Sequence, residues 1–152
     1  MDDFKKPIVA PPVLFMVALL VGIGLGFIQP SSLLPLAFQI VPGVATIIGG
    51  VWLIRLSMLE IERAGTTYDP YAASTKLVTS GIYRYIRNPG YLGLAVIQLG
   101  FAFLLDNYWI TVTLIVAMWI MTAFVILREE DKLRRTFGED YDTYFASTRR
   151  WI

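Results

Sequence analysis

The chain has 152 residues, enough for one domain, and 56% of them are hydrophobic against 16% charged, which is too apolar for an ordinary soluble globule. It contains no Cys and no His, which excludes disulfides, thiol nucleophiles, Cys or His metal ligation and imidazole catalysis. The formal net charge is only +1, and neither a nucleic-acid partner nor a metal site is expected.

No charged residue lies between Pro7 and Ile54, and between Asn88 and Leu127 there is only Asp106. A helix crossing the hydrocarbon layer takes about 20 apolar residues, so each stretch holds two helices and a turn. The expected fold is all-α: an integral membrane helical bundle of four transmembrane helices, the last two a hairpin, with a C-terminal amphipathic helical tail, in a single membrane domain. The first helix is expected over 12–28, with Gly22, Gly24 and Gly26 on alternate positions. Its apolar run exceeds the roughly 7–15 residues of a signal-peptide core, so a retained helix is expected. Gln29, Pro30, Ser31, Ser32 and Pro35 make a turn, and the second helix comes next over 36–59, with a kink expected at Pro42-Gly43. A polar connector occupies 60–88. The third helix is expected over 89–105 and the fourth over 108–127, joined through Asp106-Asn107. In the tail, 128–152, Leu133, Phe137, Tyr141, Tyr144 and Phe145 recur at helical spacing. Gly138 breaks the pattern as a cap, and Asp140 opens a second short helix. The apolar stripe is expected against the membrane surface or the bundle.

All 13 basic residues fall before the first helix, at the end of the second or in the connector, or after the fourth. Neither short turn carries one. The positive-inside rule makes the basic side cytosolic, with both termini inside.

On that side, Asn88-Pro89 reads as a well-made helix start, Asn as cap and Pro at the first position. A helix start also presents free N–H groups and a partial positive charge, so with Arg87 beside it the end suits a carboxylate or phosphate. Gly90 and Gly93 share a face that suits either helix packing or a ligand. Glu129-Glu130 stands opposite. If the fourth helix continues through Arg135, the two acids make ordinary pairs, Glu130 with Arg134 and Asp131 with Arg135. If it stops before them, they need another explanation. Tyr68, Tyr71, Tyr83, Tyr85 and Tyr91 form an interfacial belt, some of whose rings suit a cationic ligand.

The stretch Gly81-Ile82-Tyr83-Arg84-Tyr85-Ile86-Arg87-Asn88-Pro89-Gly90-Tyr91-Leu92-Gly93 closely resembles the signature of the isoprenylcysteine carboxyl methyltransferase and phospholipid methyltransferase superfamily, G-x-Y-R-x-x-R-[HN]-P-x-Y-x-G. Ala64-Gly65-Thr66-Thr67 with Pro70 and Leu77-Val78-Thr79 looks like the connector of its bacterial members. Glu129-Glu130 and the tail Phe137-Gly138-Glu139-Asp140-Tyr141 with Tyr144 and Arg149 are similar too. The resemblance covers roughly 65–150, while the first two helices match only as apolar spans.

The resemblance implies a membrane enzyme that takes S-adenosyl-L-methionine between its last two helices at the cytosolic face. It transfers the methyl group to a lipophilic small molecule or lipid, either an isoprenylcysteine-like carboxylate or a phospholipid-like amine. Tyr83, Arg87, Asn88, Pro89, Tyr91 and Gly93 would line the cofactor site with Glu129 and Glu130 opposite, and Arg87 and Glu129 are the catalytic candidates. The implied location is a bacterial or archaeal cytoplasmic membrane. Many members have His-Pro where this chain has Asn88-Pro89, a departure that bears on the acceptor more than on the cofactor. Membrane sterol reductases, which use NADPH, look similar in their C-terminal region, and a non-catalytic protein keeping the fold is a third reading.

Overall fold

Proline fixes φ at a helical value and lacks an N–H that a helix start would leave unpaired anyway, so Pro11 is a natural opening for the first helix, α1 (Pro11–Ile28). This is a computed structural model describing residues 10–30, 33–66 and 76–152. The second helix, α2 (Leu36–Arg63), passes through Pro42 without ending there. A single 3-10 turn, Gly81–Arg84, precedes α3 (Pro89–Leu104). Next come α4 (Tyr108–Met121), a π turn (Thr122–Ile126), α5 (Leu127–Phe137) and α6 (Glu139–Ser147). Among the described residues there is no strand, only an isolated parallel bridge between Ile86 and Arg149.

The sequence reading ends the fourth helix at 127, but α4, the π turn and α5 form one rod, Tyr108–Phe137. Nothing between Arg128 and Arg135 breaks a helix, since Arg, Glu, Lys and Leu are all good formers. Gly138, at φ 54°, is the first residue that does. Among the described residues, three helices are long and apolar enough to cross a membrane: Pro11–Ile28, Leu36–Arg63 and Tyr108–Phe137. Helix α3 is apolar but has 16 residues, about 24 Å against a hydrocarbon core of about 30 Å. Large apolar side chains such as Phe27, Val41, Trp52 and Trp119 remain exposed on the outer faces of α1, α2 and α4, as a bilayer requires of a membrane protein.

Small residues set the packing, as they do where lipid removes the hydrophobic drive between helices. Gly43 and Gly50 of α2 meet Gly100 and Gly93 of α3, and a Cβ on Gly93 would stand 2.7 Å from the Gly50 carbonyl oxygen. Gly22 and Gly26 bring α1 against Ile110 and Asn107, whereas Gly24 faces open space. Between these pairs, Phe15, Tyr91, Ala95, Leu114, Ala117, Met121, Val125 and Ile126 form the core.

The two short turns are tied together at one end of the bundle. The Asp106 carboxylate accepts the backbone N–H groups of Leu33 (2.7 Å) and Leu34 (3.2 Å). Asn107 accepts from the Trp109 N–H (3.0 Å), capping α4, and donates to the Gly22 carbonyl (3.1 Å). Residues 83–88, the start of α3 and the tail gather at the other end.

Candidate functional site

Pro89 is buried at the first position of α3, with Asn88 before it outside the helical region at φ −124°, ψ 53°. A residue before proline is pushed out of the helical region, so the chain must enter α3 from the side. Asn88 occupies the N-cap position that the sequence reading gives it, but its side chain makes no capping hydrogen bond. Its Nδ2 instead donates to the carbonyl of Arg150 (3.2 Å), because the C-terminal strap, 148–151, runs alongside 85–88. The Arg87 N–H donates to the Arg149 carbonyl (2.9 Å), and the Arg149 N–H to that of Tyr85 (3.4 Å).

The Arg87 side chain is buried under this strap. Its Nη1 donates to the Phe145 carbonyl (2.9 Å) and to that of Thr148, the last carbonyls of α6. A cation is favoured there because a helix C-terminus carries partial negative charge. The guanidinium also lies over the Phe145 ring, 4.1 Å from its centroid, with Arg134 near the same ring at 5.1 Å. Arg87 Nε is buried with no hydrogen-bond partner among the described residues.

The two acids have different surroundings. Glu130 is 7% exposed and is gripped by Arg150, Nε to Oε1 at 2.9 Å and Nη2 to Oε2 at 2.7 Å, with Arg87 Nη2 at 3.5 Å from Oε1. Its expected partner Arg134 pairs with Asp142 (2.6 Å) instead, while Asp131 and Arg135 pair as the helical spacing predicts (2.8 Å). Glu129 faces α3, where its Oε1 accepts from the Tyr91 hydroxyl (2.7 Å). The π turn immediately upstream helps to set this register. One extra residue per turn rotates the downstream helix by about 100°, and π turns recur at functional sites.

Tyr83 joins the cluster from the connector. Its hydroxyl meets the fully buried Ser57 Oγ (2.7 Å), and its carbonyl accepts from the Tyr144 hydroxyl (2.7 Å). Burial pushes the Tyr83 phenol up to about 12, the Ser57 hydrogen bond opposing and the nearby Glu129 charge adding to the shift. Tyr141, on α6, is pushed up to about 12 for the same first reason, and Tyr144 is raised as well. All three phenols are therefore neutral at neutral pH.

Tyr83, Arg87, Asn88, Pro89, Tyr91, Glu129 and Glu130 thus converge on one end of the bundle. Gly93 does not join them: its open side faces Gly50 and Ile54 of α2, so its missing side chain serves packing. Thr67, Tyr68, Pro70 and Tyr71 lie outside the described residues, as do Lys5 and Lys6. Sequence reasoning missed Arg150, Phe145 and Ser57. Only Ser57 leaves a signal, as an isolated hydroxyl in an apolar helix. The aromatic stripe of the tail packs on the bundle, with Tyr141 and Tyr144 buried and Trp151 against the core.

A family model described as phospholipid methyltransferase matches residues 38–140. Among curated relatives, the protein-S-isoprenylcysteine O-methyltransferase of Schizosaccharomyces pombe is 33% identical over 100 residues, 62% of this chain and 41% of that protein. A "Probable protein-S-isoprenylcysteine O-methyltransferase" of Oryza sativa subsp. indica is 32% identical over 104 residues, 67% of this chain and 54% of that one. Protein-S-isoprenylcysteine O-methyltransferase B of Arabidopsis thaliana is 35% identical over 69 residues, 45% of this chain and 35% of the relative. The chain therefore spans about half the length, or less, of the curated relatives it matches. All three are eukaryotic and lend no support to a bacterial or archaeal membrane. No solved structure matches the chain.

Proposed function

The chain belongs to the phospholipid methyltransferase family, and from that premise we propose that it transfers a methyl group from S-adenosyl-L-methionine to a lipophilic, membrane-partitioned acceptor at the cytosolic face. One observation carries the reading: a carboxylate, Glu129, held by a tyrosine hydroxyl at the rim of apolar helices, next in the chain to an acid that Arg87, an arginine with a donor to spare, approaches. On this reading the chain is a single membrane domain with four spans, α3 and the rod beginning with α4 forming the last hairpin. Its basic end is cytosolic.

The residues present suit the cofactor. Glu129 supplies negative charge for a cationic group, the rings of Tyr83 and Tyr91 add π faces, and the Arg87 Nε–H is left over for a carboxylate. Asn88 and Pro89 shape the start of α3, whose free N–H groups favour an anion. When bound, S-adenosylmethionine supplies a methyl group already activated on a sulfonium. The protein's work is then to align the acceptor and exclude water, and orientation of this kind contributes roughly 7–11 kcal/mol in favourable cases. An acceptor carboxylate, as the relatives' names imply for their substrates, needs no base. An amine acceptor must lose a proton, and with no His in the chain Glu129 is the carboxylate assigned to take it.

The test is calorimetric titration of the purified protein in detergent with S-adenosylhomocysteine, with NADPH in parallel. Saturable binding of the first alone, weakened at least about tenfold in Glu129→Gln by loss of a buried charged contact, is the expected result. Binding of NADPH alone moves the chain to reductase chemistry, and an unchanged affinity in Glu129→Gln overturns the site.

A further inference from the structure

Two adjacent acids at the end of an apolar helix repel each other, and both would compete for any cation that enters. The structure separates them through the C-terminal strap. Trp151 packs against the bundle core, Arg87 and Asn88 hold the strap's carbonyls, and the parallel bridge at Ile86 and Arg149 fixes its register against 85–88. That register delivers the Arg150 guanidinium to both oxygens of the buried Glu130. The two-point grip matches the planar fork of arginine and has no equivalent with lysine. Glu129, one residue earlier, is held from the other side, by Tyr91 on α3.

We infer that Arg150 is a positioning residue for the proposed methyl-donor site: it neutralises Glu130 and thereby leaves Glu129 as the carboxylate presented to a cationic ligand. The inference rests on the methyl-donor reading. Without Arg150, Glu130 loses its bidentate partner while remaining beside Glu129. Its charge then disturbs Glu129, and its carboxylate becomes a second, misplaced acceptor. A residue that merely glues the tail down makes a different prediction, because its loss is not mended by altering Glu130.

The experiment is a double-mutant cycle on the full chain in detergent, with S-adenosylhomocysteine as the probe and affinity read by calorimetry. Arg150→Gln is expected to weaken binding by about tenfold or more, the scale set by truncating one partner of a buried charge pair. Glu130→Gln is expected to stay within about threefold of the parent, an energy below 1 kcal/mol. The double variant is expected to bind like Glu130→Gln alone, since with no charge at 130 nothing remains for Arg150 to neutralise. Arg150→Lys, with charge but no fork, should fall between parent and Arg150→Gln.

If Arg150→Gln does not fold, the double variant carries the test, because the buried carboxylate that Arg150 neutralises is absent from it. Near-parental affinity supports the inference, and a tenfold loss overturns it. Weak binding by Glu130→Gln itself also overturns it, by making Glu130 a direct ligand group. Failure of the parent to bind defeats the methyl-donor reading and this inference with it, whereas parental binding without the rescue defeats this inference alone.

Discussion

Gly93 is the position where the two meanings of a motif glycine separate most cleanly. A Cβ built there stands 2.6 Å from Ile54 Cγ1 and 2.7 Å from the Gly50 carbonyl oxygen, where ordinary contact begins near 3.4 Å. Ile54 can change rotamer, but the carbonyl is backbone, so Gly93→Ala forces α2 and α3 apart by about 0.7 Å at this level. A gap of 0.5–1 Å forfeits roughly a quarter to a half of each dispersion contact along it. Overpacking of this kind costs about 1–3 kcal/mol. Gly50→Ala meets the mirror obstacle, the Gly93 carbonyl at 2.7 Å, from a helix outside the carboxylate cluster, and should cost the same. Gly24→Ala has nothing within 4 Å and should be neutral or gain up to about 1 kcal/mol, since alanine is the better helix former. Thermal melts in one detergent order the three variants, and S-adenosylhomocysteine titration separates packing from ligand contact. A Gly93→Ala protein with parental stability and lost affinity would refute the packing argument and return Gly93 to the ligand site.

Buried polar groups yield two further perturbations. Tyr83 has its proton held up to about pH 12 against an ordinary value of 10.0, and Tyr141 likewise. Below pH 10 folded and unfolded chains both keep these protons, whereas between 10 and 12 only the unfolded chain ionises, so stability falls as pH rises through that window. The two units at Tyr83 correspond to about 3 kcal/mol, and denaturation between pH 9 and 12 should show a shallower loss in Tyr83→Phe and in Tyr141→Phe, an unchanged slope counting against the burial account. Asn107→Ala removes the α4 cap and the hydrogen bond to Gly22, so a loss of about 1–3 kcal/mol is expected in melts. Asn88→Ala removes no cap, and its cost should track the strap: a variant truncated before Arg149 should leave it with little further effect.

What the sequence made legible is what local physics decides. Stretches without charge announce helices at home in lipid, Pro89 marks a helix start, and Gly138 a stop. The rest was hidden because its partners are remote. Asn88 had two uses for its side chain, and the choice of the Arg150 carbonyl over its own helix depends on a strand-like pairing 62 residues away. Gly93 fits helix packing and ligand contact equally by spacing, and only the position of Gly50 decides between them. The π turn at Thr122–Ile126 has no signature in an apolar run, yet it contributes to which face each acid takes. The expected pair of Glu130 with Arg134 fails because Asp142, from beyond the Gly138 turn, reaches Arg134 at the exposed surface, leaving the buried acid to Arg87 and Arg150.

That exchange of partners has a physical logic. Burying an ion costs several kcal/mol unless a partner and further hydrogen bonds answer it. Glu130 lies on a buried face of the rod where water has little access, so a solvated i,i+4 partner would not serve. The counter-charges come from outside the rod: Arg87 through the turn before α3, and Arg150 through a strap whose one aromatic residue, Trp151, packs against the core. The folding of the tail and the charge balance of the acids are therefore one problem with one solution. On the proposed reading this also accounts for a methyl-transfer site without histidine. Where the donor arrives already activated, a rigid, water-poor corner with one carboxylate facing inward meets the need for alignment, and a titrating imidazole is needed only if the acceptor must lose a proton.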